Sequence, residues 1–308
     1  MDNNIPSLTK PCVLTVGTFD GVHIGHQKIL QRVVNEAKKL NLDSAVLTFF
    51  PHPRMVLQKE MNIRLINTIG EREKIIKTLG INQLVVYPFS KEFSRLTAQE
   101  YIEEILIKKL NVKKIIIGYD HRFGRNRTAS ITELKEFGKK YHFTVEEISK
   151  QDIDEVAVSS TKIRNALKEG NIETTNKYLG RPYSLSGVVQ QGKGLGKKLG
   201  FPTANLAIPE SYKLIPKHGV YIVESTYNGK KIFGMTNIGT NPTFNETKEN
   251  IETYFFNLDE DLYGKTFRIK FLKRIRDEKK FATVDDLINA MEADKLYTQT
   301  FIKNLSKV

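Results

Sequence analysis

His23 and His26 end a loop, Gly17-Thr18-Phe19-Asp20-Gly21-Val22-His23-Ile24-Gly25-His26, that leaves the apolar run Val13–Val16 and enters a helical pattern. Glycines at 17, 21 and 25 let backbone amides come close to a ligand. A helix beginning at Gly25 would offer phosphate its unpaired N–H groups and the positive end of its dipole. The place suits an anion cradle, because ligands of open α/β sheets bind beyond the carboxyl ends of parallel strands. Imidazoles three apart at a helix start can face one phosphate and donate hydrogen bonds to charge that develops as it is attacked. Alone, H-x-x-H equally describes a surface turn or half of a metal site; the glycine-rich strand-to-helix setting favours phosphate.

A second stretch, Gly192-Lys193-Gly194-Leu195-Gly196-Lys197-Lys198-Leu199-Gly200-Phe201-Pro202-Thr203-Ala204-Asn205, combines four glycines with three lysines. A basic loop of this kind can fold over a triphosphate through backbone N–H groups and ammonium charges. It lacks the G-K-[ST] ending of a Walker A loop, and a run of this composition alone is usually a solvated loop. Ser159-Ser160-Thr161 precedes another helical pattern and by itself is an ordinary N-cap.

The elements that must position these residues fall into two sets. Before residue 180, β-rich runs (Cys12–Val16, Ser44–Phe49, Gln83–Val86, Lys113–Ile117, Phe143–Ile148) alternate with helical patterns, the pattern of a parallel sheet with crossover helices. Ile29, Leu30, Val33, Val34, Ala37 and Leu40 make one face of a helix from about Gly25 to Leu40 apolar. Further helices are predicted over Glu71–Leu79, Ala98–Leu110, Thr132–Tyr141, Thr161–Leu167 and Asn171–Leu179. After Pro182, the runs Tyr183–Val189, Val220–Tyr227, Lys231–Ile238, Ile251–Phe256 and Thr266–Phe271 follow one another without helices, and Asn228-Gly229 signals a hairpin. That half reads as an antiparallel barrel or sandwich closed by a helix over Val284–Ile302. The predicted modules are residues 1–182 and 183–308.

The 308 residues suffice for two domains at about 100–200 residues each. With 40% hydrophobic and 27% charged residues and no run near the ~20 apolar residues of a membrane helix, a membrane span is excluded. No basic stretch followed by an apolar run opens the chain, so a secretory signal is not expected and a cytoplasmic location is. The single cysteine, Cys12, excludes a disulfide framework and a cysteine-rich zinc site. The net charge of +13 suits polyanions, whether nucleic acid or nucleotides carrying several phosphates. Up to Pro182 there are 29 basic and 21 acidic residues (+8), and beyond it 19 and 14 (+5). An excess spread so evenly is unlike the concentrated stripe of most nucleic-acid binders. Small-molecule substrates are expected, with neither nucleic acid nor membrane as partner, in a monomer or weak homo-oligomer.

The loop at residues 17–26 resembles the HxGH motif of nucleotidylyltransferases, and Val158-Ser159-Ser160-Thr161-Lys162-Ile163-Arg164 resembles their S-S-T-x-I-R segment. The resemblance implies an α/β domain with a Rossmann-like parallel sheet that transfers a nucleotidyl group to a phosphate oxygen and releases pyrophosphate. His23 and His26 would be catalytic, with Gly17, Phe19, Asp20, Gly25, Ser160, Thr161 and Arg164 on ATP. Phe49-Phe50-Pro51-His52-Pro53 and Gly118-Tyr119-Asp120-His121-Arg122-Phe123-Gly124 are similar to the flavin-pocket segments of prokaryotic FAD synthetases, which implies flavin contacts for Phe49, Pro51, Pro53, Asp120 and Phe123. His121, Ala129 and Ser130 depart from that pattern, and the departures predict that the first site is the weaker of two.

Pro202-Thr203-Ala204-Asn205 resembles the P-T-A-N motif of riboflavin kinases, as do Asn237–Phe244, Ile251-Glu252-Thr253-Tyr254 and Arg276-Asp277-Glu278-Lys279-Lys280-Phe281. This implies an antiparallel β-barrel domain with a C-terminal helix. Thr203 and Asn205 would hold ATP-bound Mg²⁺, Gly192, Lys193 and Gly196 would line ATP, Glu252 would be the general base, and Arg276 and Glu278 would border the flavin. Tyr254 and Asn257 replace the family's usual histidine and aspartate. The whole chain thus resembles a bifunctional riboflavin kinase/FAD synthetase, with ATP as co-substrate and riboflavin, FMN and FAD as substrates and products. The rivals are an enzyme of this architecture with only one competent site, and a non-catalytic flavin- or RNA-binding regulator.

Overall fold

The computed structural model describes residues 7–57, 63–118, 122–125, 128–149, 158–192, 194–240, 249–258 and 260–305. The chain divides into two units, Met1–Ser160 and Thr161–Val308.

In the first unit the order is β1 (Cys12–Val16), α1 (Ile24–Leu40), β2 (Asp43–Phe50), α2 (Pro53–Leu57), α3 (Ile69–Thr78), β3 (Gln83–Pro88), a 3₁₀ turn at Phe93–Arg95, α4 (Ala98–Glu100) continuing as a π-helix over Tyr101–Lys109, β4 (Val112–Gly118), α5 (Ile131–Tyr141) and β5 (Thr144–Ile148). The strands are parallel, in the order β3-β2-β1-β4-β5. Alternate residues enter opposite apolar layers: Val13, Val46 and Ile116 meet Leu30, Val33 and Val34 of α1 and Ile76 of α3. Leu14, Leu47, Ile115 and Ile117 meet Ile102, Ile105, Leu106 and Leu134. Burial on both faces is why these strands read as unbroken apolar runs. The strand order reverses at β1, which has β2 on one side and β4 on the other, so the crevice beyond its carboxyl end is where such sheets bind ligands.

α6 (Ser160–Glu169) starts on the last residue of the first unit; in the second, the rest of α6 and α7 (Ile172–Leu179) precede β6 (Tyr183–Gln190), α8 (Leu195–Lys198), β7 (Ala204–Ala207), β8 (Gly219–Tyr227), β9 (Lys230–Gly239), β10 (Asn250–Phe255), β11 (Thr266–Arg276) and α9 (Val284–Leu305). Six antiparallel strands close a barrel in the order β10-β7-β6-β11-β8-β9, which decides between the barrel and the sandwich. Leu185, Tyr221, Val223, Ile238, Ile251, Phe255 and Phe271 are buried along its strands. The predicted hairpin joins β8 to β9, and Asn228 and Gly229 both take positive φ (47° and 73°), as a two-residue hairpin turn of this hand requires. β7 and α8, at four residues each, are too short to carry a periodicity that sequence alone shows.

The two helices before the barrel are tied to it. Asn176 Nδ2 donates to Phe271 O at 2.8 Å and its Oδ1 accepts from Tyr183 N at 2.7 Å, while Lys217 N donates to Leu167 O at 3.0 Å. The change of pattern at Pro182 therefore marks where strands begin, whereas the second unit begins at Thr161.

Candidate active sites

The β1–α1 loop is wound tightly, with φ of 46° at Phe19, 88° at Gly21 and 40° at Val22. His23 is the N-cap of α1, and its Nδ1 accepts from the His26 backbone N–H at 3.3 Å. A nitrogen that accepts carries no proton, so the neutral ring holds its proton on Nε2 and can donate it to an anion. The imidazoles of His23 and His26 stack with centroids 3.6 Å apart and planes 17° apart, and Phe19 meets His26 edge-on at 5.1 Å. Gly25 leaves room for the capping ring, since a Cβ there would lie 3.3 Å from His23 Nδ1. Gly17 does the same for Phe19, whose ring would be 3.1 Å from such a Cβ. Two of the glycines expected to admit a ligand are thus needed by the loop's own rings.

Asp20 is fully buried, and its carboxylate turns inward to accept from Ile66 N and Asn67 N. Ser160, the last residue of the first unit, donates its Oγ–H to Asp20 O at 2.8 Å. Thr161 and Arg164 lie on α6, whose buried residues are Ile163, Ala166 and Leu167.

Phe49, at the end of β2, belongs to a ring cluster. It lies 5.5 Å from Phe93 and 5.7 Å from Phe89; Phe93 lies 4.6 Å from Tyr87 and 6.1 Å from Tyr101; Tyr101 lies 5.9 Å from Phe123. The two phenylalanines predicted for the flavin are therefore linked through Phe93 and Tyr101, which sequence reasoning missed although Tyr87, Phe89 and Phe93 are closely spaced. Pro53 begins α2 and Pro51 precedes it, beside the half-buried end of β2. Asp120 and His121 lie outside the described residues. Ala129 pairs its backbone with Phe123 in both directions, takes no left-handed φ and buries its methyl in the core. The loop accommodates Ala129, so the part of the predicted weakness that rested on that methyl has no structural basis. Ser130 caps α5 in a capping box with Glu133.

In the barrel, Glu252 of β10 stands opposite Asn205 of β7 and Asn237 of β9, and Asn205 stands opposite Gln190 of β6. Directly paired residues share a face. Gln190, Asn205, Glu252 and Asn237 therefore form one polar row on the outer face, while Ile251 and Thr253 point to the buried side. Thr203 Oγ1 donates to Glu252 Oε2 at 3.3 Å. Gly192 and Gly196 are needed for close approach: a Cβ on the first would be 2.2 Å from Asn205 Nδ2, and on the second 2.3 Å from Phe201 O. Lys193 lies outside the described residues. Tyr254, next on the same face, packs edge-on against Phe201 at 5.2 Å and Phe256 at 5.6 Å. Asn257 takes φ of 55°, a conformation that asparagine tolerates well. Asn237 opens one of the segments that resemble riboflavin kinases, but its place beside Glu252 is not legible in the sequence because the two lie on different strands.

Arg276 is engaged by the last helix: its Nε and Nη2 donate to the carboxylate of Asp294 at 2.7 to 3.1 Å. Burial pushes the Asp294 carboxyl above the ordinary range against the opposing pull of Arg276. Glu278 lies across Gly239, where a Cβ would meet its Oε1 at 2.0 Å, and His218 stands between Glu249 (2.8 Å) and Glu278 (4.0 Å).

Residues 5–162 match the family model of FAD synthetase and residues 179–302 that of riboflavin kinase. A protein of Buchnera aphidicola subsp. Acyrthosiphon pisum, described as a bifunctional riboflavin kinase/FMN adenylyltransferase, is 37% identical over 302 residues, 97% of this chain and 96% of its own. The chain belongs to the bifunctional riboflavin kinase/FMN adenylyltransferase family. An Escherichia coli K12 protein of the same description is 35% identical over 291 residues, 94% of this chain and 92% of its own. A crystal structure described as a macrolide-efflux protein from Streptococcus pneumoniae is similar across 95% of each chain, with a TM-score of 0.84 and 32% identity. Among the described residues of this family member, no helix is long and apolar enough to cross a membrane. The first matched segment takes in His23 and His26; the second takes in Thr203, Asn205 and Glu252.

Proposed function

We infer that this chain phosphorylates riboflavin to FMN with ATP, releasing ADP, and joins FMN to the adenylyl group of a second ATP, giving FAD and pyrophosphate. The observation that carries this reading is that one chain builds both sites, the stacked His23–His26 pair at a helix start and the Thr203–Asn205–Glu252 group on the barrel. Adenylylation is assigned to the N-terminal module, predicted as residues 1–182, and phosphorylation to the barrel module, 183–308.

At the barrel, Glu252 takes the proton of the ribityl 5′-hydroxyl as its oxygen attacks the γ-phosphorus and ADP leaves. The Thr203 hydroxyl donates to that carboxylate and holds it in place. Thr203 and Asn205, two positions apart where β7 begins, offer two neutral side-chain oxygens, and the Asn205 amide sits where a side chain on Gly192 would be, so the donor set fits a magnesium ion shared with phosphates. Bound there, Mg²⁺ would neutralise charge on the β- and γ-phosphates. Arg276 is held by Asp294, and Arg276 and Glu278 keep the flavin-bordering role that the resemblance implies.

At the first site a phosphate oxygen of FMN attacks the α-phosphorus of ATP. His23 Nε2–H, His26 and the amides at the start of α1 stabilise the charge that builds on the phosphate oxygens. Ser160, Thr161 and Arg164 keep the triphosphate role that the resemblance implies, and Phe49 and Phe123 border the flavin ring. The test is to incubate the full chain with riboflavin, ATP and MgCl₂ and separate the flavins by chromatography. FMN should appear first and FAD after it, with ADP and pyrophosphate; FMN without FAD would leave only the kinase, and unmodified riboflavin would overturn the reading.

A further inference from the structure

We propose that Asp20 and Arg72 are the positioning residues of the adenylylation site: the buried pair holds the β1–α1 loop in the shape that sets His23 at its cap, and Asp20 does not touch the nucleotide. The proposal rests on the adenylylation reading above. Phe19 and Val22 both take left-handed φ, and Val22 is β-branched, so the loop occupies a shape its own residues disfavour. Such a shape persists only when its surroundings over-determine it.

The restraints meet at Asp20. Its carboxylate accepts from Ile66 N at 3.0 and 3.1 Å and from Asn67 N at 3.2 Å, and Arg72 Nη2 lies 3.6 Å from its Oδ1. Both side chains are 1% exposed. Ile66 and Asn67 are held in turn, since Thr68 and Glu71 form the capping box of α3, on whose first turns Arg72 lies. Arg72 Nη1 donates to Thr48 Oγ1 at 3.4 Å, and Thr48 Oγ1 donates to Thr18 O at 3.2 Å. One guanidinium thus fixes the loop on both sides of Phe19, through Thr18 and through Asp20. A buried ion pair is weak support for stability as such, because apolar replacements often do as well. Holding a fixed geometry next to a catalytic histidine is a use that apolar packing does not supply.

Asp20→Asn, Arg72→Met and the double variant should be made in the full chain, with riboflavin phosphorylation by the same molecule as an internal control. Each single change should lower kcat for FMN adenylylation about 10- to 100-fold at saturating ATP, the scale expected of a small misplacement of reacting groups. The double variant should be no worse than the poorer single one, and phosphorylation should be unchanged. In Arg72→Ala, millimolar guanidinium should restore part of the lost kcat. A raised KM for ATP in Asp20→Asn, with kcat intact and Arg72→Met normal, would make Asp20 a nucleotide contact and overturn the proposal. Additive losses, or no response to guanidinium, would overturn it as well. A parent chain that makes no FAD would instead refute the adenylylation reading itself.

Discussion

The backbone N–H of His26 donates to Nδ1 of His23 over 3.3 Å, so a single imidazole both caps α1 and presents an Nε2–H. The two roles use opposite edges of one ring. Asparagine can replace the first without the second, because its Oδ1 caps a helix well but its side chain ends short of Nε2. His23→Ala should destabilise the first unit by about 0.5–2 kcal/mol and strongly depress FAD formation. His23→Asn should recover most of the stability and none of the rate, as read by thermal melts beside adenylylation assays.

Glu252→Gln should cost riboflavin phosphorylation about 10²–10⁴-fold, the usual scale for a lost general base. Adenylylation of supplied FMN should continue at the parent rate. Kinase activity within a few-fold of the parent would remove Glu252 from the mechanism.

The polar row also predicts how the substrates are ordered. Asn205 and Thr203 lie on one side of Glu252 and Asn237 on the other, so if the first two meet ATP, the acceptor approaches past Asn237. Asn237→Ala should raise KM for riboflavin by about two- to tenfold, the worth of one neutral hydrogen bond, and leave KM for ATP unchanged. Steady-state kinetics with each substrate varied in turn gives the answer.

Two fragments test where the barrel unit begins. Residues 161–308 keep the Asn176 bonds to Tyr183 and Phe271 and the Leu167 bond to Lys217; residues 183–308 lose them. The longer fragment should fold and phosphorylate riboflavin, and the shorter should melt at a lower temperature. Equal melting temperatures would show that α6 and α7 add nothing to the barrel.

Acid should weaken the first unit through Glu36. Hydrogen bonds from Lys114 and then Lys39 hold its carboxyl down from 4.5 to about 2. A carboxylate depressed on folding stabilises the native state above its unfolded pKa, and that stability is lost as pH falls from about 4.5 towards 2. Denaturant melts of the parent should therefore lose stability across that window, and Glu36→Gln should flatten the loss.

The parallel sheet was legible because strands covered on both faces need apolar runs such as Ile115–Ile117, and the β8–β9 hairpin because Asn228-Gly229 suits two positive φ values. Other features depend on contacts that no local pattern carries. Asp20 read as an ATP contact because its neighbours are those of a phosphate loop, while its partners Ile66, Asn67 and Arg72 lie some 50 positions away in the chain. Arg276 reads as a flavin neighbour from its motif alone, and its ion pair with Asp294 on the last helix is invisible there. Ala129 read as a defect, and its negative φ and buried methyl make it part of the core instead. Ala129→Gly should accordingly lower the stability of the first unit and leave FAD synthesis no faster, by melting and rate measurements.

The closed barrel leaves no unpaired strand, whereas the five-stranded sheet ends in two, β3 and β5. An open edge is a template on which another chain can add a strand. β5 sets charge along that edge, with Glu146 and Glu147 in a five-residue strand, and β3 terminates at Pro88, which has no N–H to offer. Protection from edge pairing is therefore asymmetric in this molecule: the barrel gains it from topology, whereas the β5 edge of the sheet is bordered by ion pairs, Glu146 with Lys114 and Arg32 and Glu147 with Lys135.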